Sequence, residues 1–479
     1  MHRVEPGKEI ASVTPAANGK TPAASPTDRW PHARLLPTAG LRSDLERERR
    51  ASSCLLAVIH GVPEFGHALL KELGAPKSSV IETYAEVRFE IAGGKTIIPD
   101  GAIVCQRGAK RWTCLVEVKT GSNDLKDDQV ASYLDIAREH GYDGVLTISN
   151  QITASSSESP VTLDGRKLKR VCLWHFSWWR ILTEALVQSR HRGVSDPNQA
   201  WILRELIHYL GSEGSGATGF EDMGPNWVEV RKAVAAGTLR QNDAPTRAVA
   251  QHWEQFTQYL CLSLSQELGR VVTSPRHRKQ TTAERLAEVI KKLGESGELI
   301  STLRVPDAVG DLQIRADLRA RQTSISVAVD APGDRRAKPR INWMLRQLPD
   351  APDDLKIEAS YPSARQTIPA ALGQAREDPA RLLYPSDPTR EAKSFVMTQS
   401  RPMGQKRGRD EGSFVRETSA QAVGFYRDLV QNLKPWQAPA PKITSSTTAV
   451  IDEEPEPLIV PLESDETQSA EPATGSSTD

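Results

Sequence analysis

Residues 96–121 read TIIPDGAIVCQRGAKRWTCLVEVKTG, and the way this stretch pairs with itself decides the fold. Two apolar runs, 96–106 and 112–119, flank Arg107-Gly108-Ala109-Lys110, the pattern of two strands joined by a tight turn. With Gly108 and Ala109 as the turn residues, antiparallel pairing places Asp100 opposite Glu117 and Lys119 across from Ile98. Strand side chains alternate, so Glu117 and Lys119 share a face with Asp100, while Cys105 and Cys114 fall on the other face as buried thiols. Charges on a sheet face are costly unless they are paired, bound to metal or solvated in a cleft.

Two carboxylates directly opposed at about 5 Å repel each other. A divalent cation removes that conflict. Oxygen ligands from Asp100 and Glu117, with the backbone carbonyl of Val118 and waters, suit Mg²⁺ or Mn²⁺. Lys119 beside them would position a water, help deprotonate it and neutralise charge on a phosphodiester, which completes the parts for metal-assisted phosphoryl hydrolysis.

Pro99-Asp100 followed by Glu117-Val118-Lys119, on a hairpin leading into a helix, resembles the PD-(D/E)XK nuclease superfamily of restriction-endonuclease-like and RecB-like enzymes. The next helix carries Gln129-Val-Ala-Ser-Tyr133, which looks like the Q-x-x-x-Y motif of RecB-like members. At i and i+4 the two side chains lie on one helix face. The resemblance covers roughly residues 35–192 and implies Mg²⁺-dependent cleavage of DNA or RNA, with Gln129 and Tyr133 as supporting residues. Many members add an acid from the first helix or strand. Glu46, Glu64 and Glu86 are the candidates, and Glu86 is favoured because it alternates on a strand beside the hairpin. The bare spelling recurs in Asp124-Leu-Lys126 and Asp354-Leu-Lys356, but only the version at 99–119 sits on two apolar strands in facing register.

Outward from the hairpin, periodicity predicts helices over 41–60, 67–73, 124–140 and 178–188, and strands over 84–91, 144–149 and 170–176. The expected fold is α/β, a mixed central sheet flanked by helices and restriction-endonuclease-like, over residues 30–192. A mostly helical connector is expected over 193–300 and a smaller α/β domain over 301–436. In the latter, strands are read at 303–305, 311–318, 323–330 and 355–360, and helices at 341–348 and 420–433. Residues 1–29 and the acidic segment 437–479 are too poor in apolar side chains to offset chain ordering and are expected to be disordered.

The 479 residues carry 61 Lys and Arg against 61 Asp and Glu. This neutrality is an average, because 443–479 hold nine acids and no Lys or Arg, leaving a mildly basic body. No run approaches the ~18 apolar residues of a membrane span, and the N-terminus lacks a signal peptide's apolar core. A cytoplasmic protein is therefore expected, with nucleic acid as its partner and no membrane. A protein partner or a second copy would dock through the C-terminal domain. Basic clusters at 166–170, 276–279, 335–336 and 406–409 read as solvated surface or as parts of a polynucleotide path. DNA repair, foreign-DNA defence and a stress response are all compatible roles. The alternative is a catalytically inactive nuclease-like fold that binds nucleic acid or acts as an interaction scaffold.

Overall fold

A computed structural model of the chain describes residues 33–37, 43–91, 94–153, 155–277, 280–408 and 410–437. The segments read as disordered lie outside these residues apart from Gln437, as do Arg278, Lys279 and Arg409 of the basic clusters. Helix α1 (Asp44–Gly61) is opened by a capping box, in which Ser43 Oγ accepts from Glu46 N–H and the Glu46 carboxylate accepts from Ser43 N–H. Its buried stripe is Glu48, Ala51, Ser52, Leu55, Leu56 and Ile59, the three-and-four spacing of a helix with one face in the core. Helix α2 (Pro63–Leu70) starts on Pro63 and ends in a 3₁₀ turn that Gly74 stops at φ +84°.

Strands β1 (Val80–Ala85), β2 (Phe89–Ile91), β3 (Lys95–Ile97), β4 (Gly101–Arg107) and β5 (Lys110–Val118) follow. Helix α3 (Asp127–Glu139), strands β6 (Gly144–Ser149) and β7 (Cys172–Ser177), and helices α4 (Trp178–Val187) and α5 (Pro197–Leu210) complete this half. The sheet order is β1-β4-β5-β6-β7. Its first two pairings are antiparallel and the last two parallel, so it is a mixed five-stranded sheet flanked by helices. Across the hairpin Gly101 faces Val116 and Arg107 faces Lys110, the register that a two-residue turn at Gly108-Ala109 dictates. One sheet face is packed by α1, α2, α4 and α5 around Ile103, Cys105, Cys114, Val116 and Phe176, and the other by α3 around Leu115, Val130, Tyr133 and Val145. The junction of β7 and α4 belongs to this packing, since Phe176 and Trp178 are buried and Ser177 caps α4. Four of the cysteines are buried thiols, and Cys172 is exposed.

The structure breaks two stretches that alternation alone reads as continuous strands. Residues 84–91 divide between β1 and β2 because Glu86 adopts φ +50°, and 96–106 divide between β3 and β4 at Pro99-Asp100. Proline cannot donate to a ladder, so the two-stranded sheet of β2 and β3 ends before it and the chain enters the five-stranded sheet at Gly101. A Cβ at Gly101 would lie 2.4 Å from Leu56 Cδ1 and 2.7 Å from the Tyr84 carbonyl oxygen. Gly101→Ala is therefore expected to lower stability by about 1–3 kcal/mol, the usual range for overpacking. An unchanged thermal midpoint would show that α1 and β1 do not need this close approach.

Helices α6 (Trp227–Ala236), α7 (Ala244–Leu268) and α8 (Thr282–Ser296) lead into strands β8 (Glu298–Leu303), β9 (Leu312–Asp317) and β10 (Gln322–Asp330). Then come α9 (Ala337–Leu345), β11 (Lys356–Ser360), β12 (Ile368–Ala371), α10 (Leu372–Glu377), β13 (Ser394–Pro402) and α11 (Phe414–Asp428). The second sheet is six-stranded and antiparallel throughout, in the order β12-β11-β13-β10-β9-β8. Trp227, Trp253, Phe256 and Leu293 from the helical stretch share one core with Ile314, Val327, Phe395 and Phe414, so α6 to α8 are part of the second sheet's packing. Trp179 of α4 touches both this core and that of the first sheet. The described residues up to Trp436 accordingly cluster as one compact unit. Among the described residues no single helix is long and apolar enough to cross a membrane.

Candidate active site

The end of β5 turns its last residues toward the segment preceding β4. Asp100 Oδ2 accepts from Val118 N–H at 2.7 Å, which fixes this carboxylate against the strand carrying Glu117. Lys119 Nζ donates to Glu117 Oε1 at 2.7 Å and to the Val118 carbonyl at 3.3 Å. The three residues expected from the hairpin register are therefore brought together, with the Val118 carbonyl among them. Glu117 is only 1% exposed and its Oε2 has no hydrogen-bond partner. An ionised carboxylate so placed is costly. Burial, then the neighbouring Asp100, pushes its pKa up from 4.5 to about 7. Burial also raises Asp100, although Val118 N–H and Lys119 oppose it. Burial alone would lower Lys119, but Glu117, Glu48 and Asp100 outweigh it and hold the ammonium charged.

The further acid is Glu48 of α1. It is 7% exposed, lies 3.4 Å from Lys119 Nζ, and accepts from Asn123 Nδ2 at 2.7 Å. The expected candidates are elsewhere. Glu86 sits at the positive-φ kink after β1, where its N–H donates to the Asp100 carbonyl, but its side chain pairs in solvent with Arg49 at 3.1 Å. Glu46 is used in the cap of α1, and Glu64 accepts from Ser195 N–H. The physical reason is helix phase: a residue in the capping turn faces outward, whereas Glu48 begins the stripe continued by Ala51, Ser52 and Leu55. Extending that stripe backward by one turn would have found it.

Gln129 and Tyr133 share the inward face of α3. Gln129 Nε2 donates to Tyr133 Oη at 2.8 Å, and Tyr133 O–H donates to the Ile98 carbonyl at 3.4 Å. The hydroxyl is close enough to Glu117 for the two to perturb each other's charge, and burial first, then Glu117, drives the tyrosine pKa upward. Beneath the site, Trp178 Nε1 donates to the Lys119 carbonyl at 2.8 Å. Gly121 N–H donates to the Gly216 carbonyl, and Asn150 bridges Gly121, Gly216 and Thr218. The Gly-rich stretch 211–219 thus buttresses the site.

Glu48, Asp100 and Glu117 surround the single ammonium of Lys119, leaving an excess of negative charge when all three acids are ionised. Among the described residues no group of three or more His, Cys, Asp or Glu side chains converges as a ready metal cage. Mg²⁺ does not need one, because it is commonly held by one or two carboxylates and keeps several waters. The orphaned Glu117 oxygen beside Asp100 fits such an ion. Comparison with protein-family models, curated proteins and solved structures finds no match for this chain.

Proposed function

We propose that the chain is a metal-dependent phosphodiesterase acting on DNA or RNA, built on a restriction-endonuclease-like sheet. The observation that carries this reading is the buried, unpartnered Oε2 of Glu117, a carboxyl that neighbours Asp100 and whose Oε1 pairs with the Lys119 ammonium. Asp100 and Glu117, with the Val118 carbonyl, would hold Mg²⁺ or Mn²⁺, which when bound supplies Lewis acidity toward a phosphoryl oxygen and lowers the pKa of a coordinated water. Lys119 orients the attacking water and places positive charge where the phosphorane-like transition state is most negative. Glu48 and Asn123 hold Lys119 in that position, and the Gln129–Tyr133 pair fixes the side of the site facing α3.

The test is cleavage of single- and double-stranded DNA and RNA with Mg²⁺, Mn²⁺ or EDTA. Asp100→Ala and Lys119→Ala are expected to abolish cutting while leaving nucleic-acid binding measurable. Equal activity in the wild type and both variants would remove the enzyme reading and leave a nucleic-acid-binding module on the same fold.

A further inference from the structure

The second half of the chain contains a cavity of about 150 Å³ between α6, the turn after β9 and the segment after β13. Its charged lining is Arg231, Lys232 and Arg321, and no carboxylate contributes to the wall. None of these three cations has an ion-pair partner among the described residues. Arg231 lies 5.6 Å over the Trp227 ring, and its Nε is buried without a hydrogen-bond acceptor. Burial, and then the nearby Arg321, lowers the pKa of Arg231. Gln405 adds a polar side chain, and Lys406 and Arg407 follow it directly in sequence.

Arg231 is the half-buried member of the group, with Lys232 and Arg321 at the exposed rim, and like charges gathered in this way repel one another until an anion joins them. A larger cavity, of about 610 Å³, provides the contrast. It is lined by Arg180, Arg276 and Arg304, but Glu72, Glu158 and Asp311 already pair with these arginines at 2.7–2.8 Å. Of these two cavities, the smaller holds the uncompensated charge. Its volume has room for a tetrahedral oxyanion together with water. Guanidinium groups are well matched to phosphate oxygens.

We propose that Arg231, Lys232 and Arg321 form a phosphate-group site, remote from the candidate active site and independent of its metal chemistry. The group is either free phosphate or the terminal phosphate of a nucleic-acid strand, which present the same oxygens. The Arg321 carbonyl accepts from Met403 N–H at 2.8 Å, so the turn presenting its guanidinium is tied to the segment forming the opposite wall.

The test uses full-length protein in EDTA, with phosphate replacing chloride at constant ionic strength. Phosphate is expected to raise the thermal midpoint of the wild type and of Asp100→Ala. Loss of one charge-assisted contact, in Arg321→Gln or in Lys232→Gln at the exposed rim, should weaken the apparent affinity about tenfold. Two further arms identify the source. Tighter binding of a 5′-phosphorylated than of a 5′-hydroxyl oligonucleotide, relieved by inorganic phosphate, identifies a strand end. Equal binding of the two oligonucleotides, with phosphate still stabilising, identifies the free anion. A wild-type midpoint indifferent to phosphate, or the same rise in the wild type and both variants, overturns the site. Retention of the phosphate response in an Asp100→Ala protein that no longer cuts separates this question from that of the nuclease.

Discussion

Glu117→Gln is expected to make the protein inactive and, without metal, more stable. The cleavage rate should fall by about 10³-fold or more, because the amide cannot act as an anionic ligand and Lys119 loses its closest charge partner. Stability should move the other way. A carboxylate whose pKa rises from 4.5 unfolded to about 7 folded favours its neutral form in the fold. Its contribution is fully present below the unfolded value and is lost as pH rises through the folded one. At pH 8 the ionised group costs up to about 3 kcal/mol, which an amide avoids. Buried His175 acts in the opposite sense over an overlapping range, because desolvation lowers its pKa from 6.5 to about 4. Stability from His175 therefore grows as pH rises across that window. The wild-type profile alone would hide both effects, and the difference in midpoint between Glu117→Gln and wild type in EDTA isolates the carboxylate. That difference should be small near pH 5 and reach a plateau above about pH 7. A variant less stable than wild type at pH 8 would mean that the Lys119 ion pair outweighs the desolvation of Glu117.

Magnesium should stabilise the wild type, and more so at higher pH. Binding requires the ionised carboxylates and so competes with protons. Below the Glu117 pKa the apparent affinity should drop about tenfold per pH unit. The increment in thermal midpoint on adding Mg²⁺ is accordingly expected to be large at pH 8 and much reduced at pH 5.5, and to vanish in Asp100→Ala and Glu117→Gln. An increment that ignores pH, or that survives both substitutions, would place the ion somewhere other than this pair of acids.

The parts of the fold legible in the sequence are those where a single local rule is decisive. Alternation about Gly108-Ala109 predicted the register of β4 and β5, and with it the meeting of Asp100, Glu117 and Lys119, because strand parity leaves no other arrangement once the turn is two residues long. Position was lost where two rules competed. Glu86 sits in an alternating stretch whose backbone turns to positive φ so that its N–H can hold Asp100, and alternation carries no trace of that. Strand β13 lies inside the second sheet, yet its apolar run is only Phe395-Val396-Met397 before threonine, glutamine and serine, too short for alternation to single out. Glu48 is hidden for a different reason: a buried acid looks like a surface residue until the phase of its helix is followed back from Ala51 and Leu55.

Lys119 owes its setting to residues that come much later in the chain, through the Gly121–Gly216 hydrogen bond and the Asn150–Thr218 bridge. At ordinary rates of synthesis Thr218 follows Lys119 off the ribosome by roughly 5–20 s. Throughout that interval the nascent chain already carries all three acids and the lysine, but not the clasp that seats them. On the proposed function, competence for hydrolysis would be deferred until the protein has been translated well beyond the hairpin, and an excised piece ending at residue 192 would lack the clasp altogether.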